Sequence, residues 1–409
     1  MAFVIKTIRI TVPQVAVLLE TSHGVSRMEL QGILKYARVH GPWSIHNTLG
    51  GTRDLKVPDL RHWKGDGIIG RVTTGAIARD ILASRLPAVL FNPGEPFLNR
   101  AHPLSKCSRT RSDNVAIGRL AAEYFMRRGF AQYAYVGEPG GISWSVWRQE
   151  AYAARLEEAG HCCLAYPLPP RTRKAWDIER TLLCAWLRRL PKPVAVFAAN
   201  DRRAQQVLDA CLVSDIAVPY EAAVLGVTND LLICETSIPP LSSIALDTER
   251  AGYEAARMLD ERMHNPRIPR EVFTYGPTGV VTRASTEDLR VSDKLVIRAL
   301  EFIRVNGGLM IRVPDVADQL GVTCRCLERR FARTVGQSVH ETIQHARLTS
   351  VCAMLTETDL PLAAISKRCG FTLPNHLCTL FKTRFGLTMR EYRKREQARA
   401  ANHPPLPST

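Results

Sequence analysis

The chain has 409 residues, 45% of them hydrophobic and 23% charged; at roughly 100 to 200 residues per domain this allows two to four ordinary domains and excludes a disordered or collagen-like polymer. Lys and Arg number 55 against 39 Asp and Glu, a formal net charge of +16, which favours a polyanionic partner such as nucleic acid or an anionic membrane surface. The first apolar stretch, 12–19, contains Pro13 and follows Lys6 and Arg9, so it supports neither an export signal nor a span of about 20 apolar residues; a cytoplasmic protein with no membrane partner is expected.

Up to about residue 284, β-rich apolar runs alternate with amphipathic stretches. Buried strands are predicted at 14–19, 67–70, 88–91, 133–137, 194–198 and 223–227. Helices are predicted at 28–39, 115–128, 146–159, 177–190, 203–214 and 248–263, where apolar residues recur at three-to-four spacing and Gly or Pro follows. This alternation implies an α/β domain with parallel sheet, whose ligands bind beyond the carboxyl ends of the strands. The segments to inspect are therefore 21–27, 138–148, 200–202 and 228–230.

After Ser285 the strand signal vanishes. Ser292 is expected to cap a helix whose apolar face runs through Leu295, Val296, Ala299, Leu300, Phe302 and Ile303 and which ends at Asn306-Gly307-Gly308. A separate all-helical domain begins there, and one pattern occurs in it twice. Val316-Ala317, Leu320-Gly321-Val322-Thr323, Leu327 and Phe331 are repeated as Ala364-Ile365, Cys369-Gly370-Phe371-Thr372, Leu377 and Phe381. Small residues let helices cross closely, Gly fits the tight turn, and Thr can cap the next helix, which is the logic of a helix-turn-helix. A single copy could equally be a helical hairpin; the duplication favours DNA binding.

The end of the pattern, Phe381-Lys382, Phe385-Gly386-Leu387-Thr388 and Glu391-Tyr392-Arg393, resembles the carboxyl-terminal signature of the AraC/XylS family of bacterial transcription activators over residues 293–395. Arg347-Leu348 and Met354-Leu355 fall where that family has its long linking helix. Two positions depart from it: Met389 stands where a Pro is usual, and Thr379 where an Arg is frequent. The amino-terminal part resembles the sugar-binding domain of the lactose-repressor (LacI) family, and hence periplasmic sugar-binding proteins. The resemblance is carried by Arg111-Ser112-Asp113-Asn114 with Gly118, by Arg148, by Ala199-Asn200-Asp201, by Leu225-Gly226-Val227, by segment 238–244 and by segment 283–286. A sugar sensor followed by an AraC-type domain is the arrangement of the xylose operon activator family, which the whole chain resembles.

These resemblances imply a two-lobed periplasmic-binding-protein-like (type I) α/β sensor over 1–286, a double helix-turn-helix domain over 287–398, and a disordered tail over 399–409. They imply a transcription regulator, an activator working with RNA polymerase, that binds double-stranded DNA as a homodimer and takes a sugar effector, a pentose such as D-xylose. A non-sugar polar effector is the alternative, and a transporter's solute-binding protein a more distant one.

Sugar recognition needs planar polar groups for pairs of hydroxyls and an apolar face for the ring. Arg148, Asn200, Asp201 and Asn229 can supply the first, with Arg27 from the first strand-to-helix loop, while His23 reads as a solvated loop residue. Trp144 or Trp147 can supply the second. Asp201 can alternatively cap a helix starting at Arg202, and Trp147 can be core. Thr228 replaces an Asp often found in sugar-binding relatives.

For DNA, a recognition helix is expected at 323–333 with Thr323, Arg325, Glu328 and Arg329 outward: Arg can grip guanine and Glu can accept from cytosine. The second copy offers Asn375, His376 and Thr379, with Thr372, Lys382 and Arg384 at phosphates. Arg393, Lys394, Arg395 and Arg399 read as a basic tail.

No catalytic constellation is present: the sequence has no Gly-x-Ser-x-Gly, no phosphate-cradling Gly-rich loop ending in Lys-Ser or Lys-Thr, and no His-Glu-x-x-His, so neither an enzyme nor a cofactor is expected. The eleven scattered cysteines read as reduced thiols, mostly core, and Cys324 with Cys326 lacks further ligands for a metal site.

Overall fold

The computed structural model describes residues 12–47, 56–58, 63–167, 175–287, 291, 293–371 and 374–401. It divides into two compact units, Met1–Asp288 and Leu289–Thr409.

The first unit runs β1 (Gln14–Leu18), α1 (Gly24–His40), β2 (Ser44–Asn47), β3 (Gly67–Gly70), α2 (Gly75–Ser84), β4 (Ala88–Phe91), α3 (Glu95–Leu98) and β5 (Ser108–Ser112). It continues with α4 (Asn114–Arg127), β6 (Tyr133–Val136), α5 (Ser143–Glu157), β7 (Cys163–Ala165), α6 (Ala175–Arg189), β8 (Val194–Ala198), α7 (Asp201–Val213), β9 (Ala222–Val227), α8 (Leu231–Thr236), β10 (Ser242–Leu246), α9 (Thr248–His264), β11 (Val272–Tyr275) and β12 (Pro277–Val281). The strands form two six-stranded sheets in the orders β11-β5-β4-β3-β1-β2 and β12-β10-β9-β8-β6-β7, one per lobe, with parallel pairings except the antiparallel β10–β12.

Each predicted strand lies in a sheet centre, where both faces are covered and the sequence reads as an unbroken apolar run. The strands absent from the sequence reading are polar or partly exposed, such as β5 (Ser-Arg-Thr-Arg-Ser) and β2. The chain passes between lobes at 112–114, 246–248 and 275–277, and these passages lie side by side: the Asp113 amide donates to the Tyr275 carbonyl at 2.8 Å and the Asp247 amide to the Gly276 carbonyl at 3.1 Å. Asn92, just beyond β4, ties them down, donating to the Tyr275 hydroxyl at 2.7 Å and accepting from the Ser112 amide at 2.7 Å. In the first lobe α1 and α9 pack backbone to backbone, because a Cβ at Gly32 or Gly252 would overlap the opposing main chain.

The second unit is all-helical: α10 (Lys294–Asn306), α11 (Val313–Gln319), α12 (Cys324–Val335), α13 (Val339–Glu357), α14 (Leu362–Arg368), α15 (Pro374–Phe385) and α16 (Met389–Ala401). Asp293 caps α10, accepting from the Leu295 and Val296 amides, in place of the expected Ser292, which lies outside the described residues. The last helix continues to Ala401, and Arg393 is no tail residue: it donates to the Leu355 and Leu360 carbonyls at 3.2 and 2.7 Å. Met389 packs in the core with Leu355, Phe371, Leu377 and Phe381, while Thr388 and Glu391 exchange capping hydrogen bonds, so the helix start is held without the family's Pro.

The eleven cysteines are free thiols, but only Cys184, Cys211, Cys234 and Cys369 are buried, and Cys162, Cys324 and Cys378 are exposed. Among the described residues no cluster of His, Cys, Asp or Glu is arranged to hold a metal ion, and no helix is long and apolar enough to cross a membrane.

Candidate functional site

The cleft of the first unit opens between the carboxyl ends of the two sheets, as a doubly wound α/β topology dictates. At its floor lies Arg148, on α5, only 5% exposed. Its guanidinium donates to Asn114 Oδ1 at 2.9 Å and to the Ala199 carbonyl at 2.6 Å, and sits 4.8 Å from the Trp144 ring, one helical turn back. Burial lowers its pKa, and among the described residues no carboxylate is hydrogen-bonded to it. A buried cation held by neutral acceptors keeps donor strength for a ligand.

Asn200, beside Ala199, uses Oδ1 to cap α7, accepting from the Arg203 amide at 2.8 Å, so the cap is Asn200 and not Asp201. Its Nδ2 donates to Glu138 at 3.1 Å, and Arg202 donates to the other oxygen of the same carboxylate at 2.6 Å. Each atom of the Asn200 amide retains capacity for one further hydrogen bond. Trp144 and Trp147 are both half-buried and line the open flank of the cleft, so Trp147 is not core.

The other expected ligands are turned toward the protein. Asp201 is buried and accepts from Thr228 Oγ1 at 2.8 Å, Ser243 Oγ at 2.5 Å and the Asp230 amide at 2.7 Å. Burial pushes its pKa up and these donors pull it down. Its role is to fix the β9–α8 turn, where Thr228 and Asn229 have positive φ. Asn229 accepts from Arg283 at 3.0 Å, and its amide donates to Ser243 Oγ at 2.9 Å.

Arg27 donates to the carbonyls of Thr21 and Ser22 and reaches Asp230 at 3.5 Å; Asp230 also accepts from the Gly24 amide at 2.9 Å. Arg27, Gly24 and Asp230 thus form a latch between lobes. A Cβ at Gly24 would overlap the Asp230 carboxylate, so only glycine permits this approach. His23 pairs with Glu20 at 3.0 Å.

Asn114, Glu138 and Arg202 are cleft residues that the sequence reading did not select as ligands. Asn114 belongs to the Arg111-to-Asn114 motif. Glu138 directly follows a predicted strand, but nothing local shows that it meets Asn200.

In the helical unit, Gly321 and Gly370 take left-handed φ of 66° and 73° at the two helix-turn-helix turns, and Thr323 caps α12, accepting from the Cys326 amide at 3.3 Å. Leu327 and Phe331, like Leu377 and Phe381, point into the core. That rotation leaves Arg325, Arg329 and Arg333 exposed on α12, and Asn375, His376, Thr379 and Lys382 exposed on α15. Thr372 lies outside the described residues.

Glu328 is the exception. It is half-buried and accepts from the Val339 amide at 3.3 Å, joining α12 to the start of α13, so it does not face outward as a base reader. Thr379 bonds back to the Asn375 carbonyl at 3.1 Å. Arg330 pairs in two-pronged fashion with Asp293, at 2.6 and 2.8 Å, fixing α12 against the start of α10.

A family model described as a periplasmic binding protein-like domain matches residues 122–286, and one described as a helix-turn-helix domain matches residues 316–395. Over 284 residues the chain is 30% identical to the xylose operon regulatory protein of Haemophilus influenzae, covering 69% of this chain and 73% of that one. Over 383 residues it is 26% identical to the xylose operon regulatory protein of Escherichia coli, covering 93% and 96%. The solved structure of a xylose-binding transcription activator, XylR, superposes with a TM-score of 0.81 at 26% identity, covering 94% of this chain and 98% of that one.

Proposed function

The chain belongs to the family of xylose operon regulatory proteins, and we propose that it acts as a homodimeric activator on double-stranded operator DNA, set by a D-xylose-type pentose in the cleft above Arg148. It is a sugar-responsive, DNA-binding transcription regulator. Its relatives are regulators of transcription, and its place of work is the cytoplasm, with RNA polymerase as the partner of an activator.

The observation that carries the effector reading is Arg148: buried, charged, held among the described residues by Asn114 and Ala199, and stacked near Trp144. Arg148, Asn114 and Asn200 take hydroxyls in pairs and Trp144 covers the ring's C–H face. Arg325 and Arg329 read base edges from α12, Asn375 and His376 from α15, and Lys382 and Thr323 hold phosphates.

A sugar can change DNA binding only through its different affinity for two arrangements of the protein, and moving a 1:99 population to 99:1 takes about 5.5 kcal/mol of difference. One pentose is small for that, so two sensors in a dimer contribute together and the sugar resets the spacing of paired half-sites. Footprinting on a two-half-site promoter with and without D-xylose, with light scattering on the same samples, tests this. Expected is a dimer whose protected pattern shifts with sugar; identical footprints from a monomer in both conditions overturn it.

A further inference from the structure

Helix α1 starts without a cap of its own. His23, the residue before it, makes no capping hydrogen bond through its side chain, and the first turn carries no acidic residue. The helix therefore presents its first amides, and their partial positive charge, at its amino end. What meets them comes from the other lobe: Asp230, 206 positions away, accepts from the Gly24 amide through Oδ2 at 2.9 Å.

Asp230 is at the same time the cap of α8, accepting from the Leu232 amide through Oδ1 at 3.2 Å. One carboxylate, 9% exposed, thus caps two helices that belong to different lobes. Arg27, tethered by the Thr21 and Ser22 carbonyls, adds a cation 3.5 Å from Oδ1. The approach depends on Gly24, where a Cβ would overlap the carboxylate.

This double cap is joined to the sugar set. The Asp230 amide donates to Asp201 at 2.7 Å, and Asp201 directly follows Asn200 and Ala199, whose carbonyl accepts from Arg148. Residues 199–201 therefore hold the Arg148 guanidinium, offer the Asn200 amide to the cleft and fix the turn that carries Asp230.

A sugar enters between the lobes only when they part, and parting them beyond hydrogen-bonding reach leaves the Gly24 amide and Asp230 Oδ2 to water. Closure restores a charge-assisted contact at a helix end. Resting on the sugar-sensor reading above, we infer that Asp230 is a positioning residue that sets the balance between open and closed sensor. It caps α1 from the opposite lobe on closure and so raises sugar affinity without touching the sugar, because apparent affinity scales with the fraction of molecules in the binding-competent form.

The test uses the full chain carrying Gly24→Ala, Asp230→Asn or both, with calorimetric titration of D-xylose and hydrogen exchange without sugar. Ala is well tolerated in a helix, leaves Asp230 and the whole sugar set in place, and blocks the approach by bulk. Asn keeps a side-chain oxygen to cap α8 and removes the charge. Each single variant should bind D-xylose about 3- to 30-fold more weakly, on the scale of a helix cap converted to affinity. The double variant should stay within about twofold of the weaker single, since both substitutions remove the same contact. Each substitution should also speed exchange in the lobe that does not carry it: Gly24→Ala over 228–236, and Asp230→Asn in the first turn of α1.

Wild-type affinity in both single variants, or losses that multiply in the double, overturns the inference while leaving the sugar sensor standing. Failure of D-xylose to bind the folded wild-type chain overturns the pentose reading, and exchange alone then decides: acceleration across the lobes supports the double cap. Exchange changes confined to the substituted lobe overturn it in either case.

Discussion

The helical unit and the sensor unit treat their predicted functional residues differently. In the helical unit Arg325, Arg329, Asn375, His376 and Lys382 stay exposed, as the 3.6-residue period requires once Leu327, Phe331, Leu377 and Phe381 are buried. In the sensor, Asp201, Asn229 and Arg27 all sit at the ends of elements facing the cleft, yet their side chains bond to Ser243, Arg283 and Asp230. A helix sets the direction of its side chains by its own geometry, whereas a loop side chain follows whatever donor or acceptor the fold brings near it.

The largest test of this contrast is Arg148→Ala. It strands the Ala199 carbonyl, leaves Asn114 Oδ1 with only the Ser112 hydroxyl, and should cost about 3 kcal/mol of sugar affinity, more than a hundredfold, by calorimetry. DNA binding by a fragment of residues 289–409 is expected in gel shifts, since that unit carries its own core. Wild-type sugar affinity in the variant would place the ligand elsewhere.

Asp201→Ala removes the acceptor shared by Ser243, Thr228 and the Asp230 amide and should lower sensor stability by about 2 to 4 kcal/mol. In a thermal melt the sensor transition should fall while that of the helical unit stays in place. An unchanged sensor transition would return Asp201 to the list of free ligands.

Arg329→Ala should cost about 1 to 3 kcal/mol on the preferred operator and less on random DNA, whereas equal losses make it a phosphate contact. Glu328→Gln keeps an acceptor for the Val339 amide and should leave base preference unchanged in a binding-site selection. A shifted preference would show that Glu328 swings outward on DNA.

Asp293→Asn should cost about 1 kcal/mol or less, because Asn still caps α10 but loses the charge facing Arg330. Burial alone would raise the Asp293 carboxyl, but Arg330 and the Leu295 and Val296 amides hold it below its ordinary value of 3.8. The stability this provides is present above that value and lost as pH falls through the lowered one. Denaturation of the helical unit should therefore show a deficit in the variant at neutral pH that closes in acid. The smallest effect is expected of Thr379→Ala, below about 0.5 kcal/mol in stability, since its hydroxyl only bonds back along α15.

The central strands and the main helices, the α/β class and the doubled helix-turn-helix were legible in the sequence because they rest on local periodicity: apolar runs at sheet centres, three-to-four spacing on helices, glycine at the turns; the two-lobed arrangement was expected only from the resemblance to the lactose-repressor sensor. The exposed faces of α12 and α15 were legible for the same reason, their phase being set by their apolar residues, whereas Arg148 and Asn200 were singled out by their side-chain chemistry and by the family resemblance. Strands β5 and β10 were not, because their Ser, Arg and Thr residues pair with a sheet assembled from distant segments. Only the tertiary structure decided that Glu138 meets Asn200 and Arg202, that Asp230 meets Gly24 across more than 200 positions of chain, and that Glu328 turns toward Val339. Each depends on a partner that chain folding brings within hydrogen-bonding reach, and hydrogen bonding acts over about 3 Å whatever the separation in sequence.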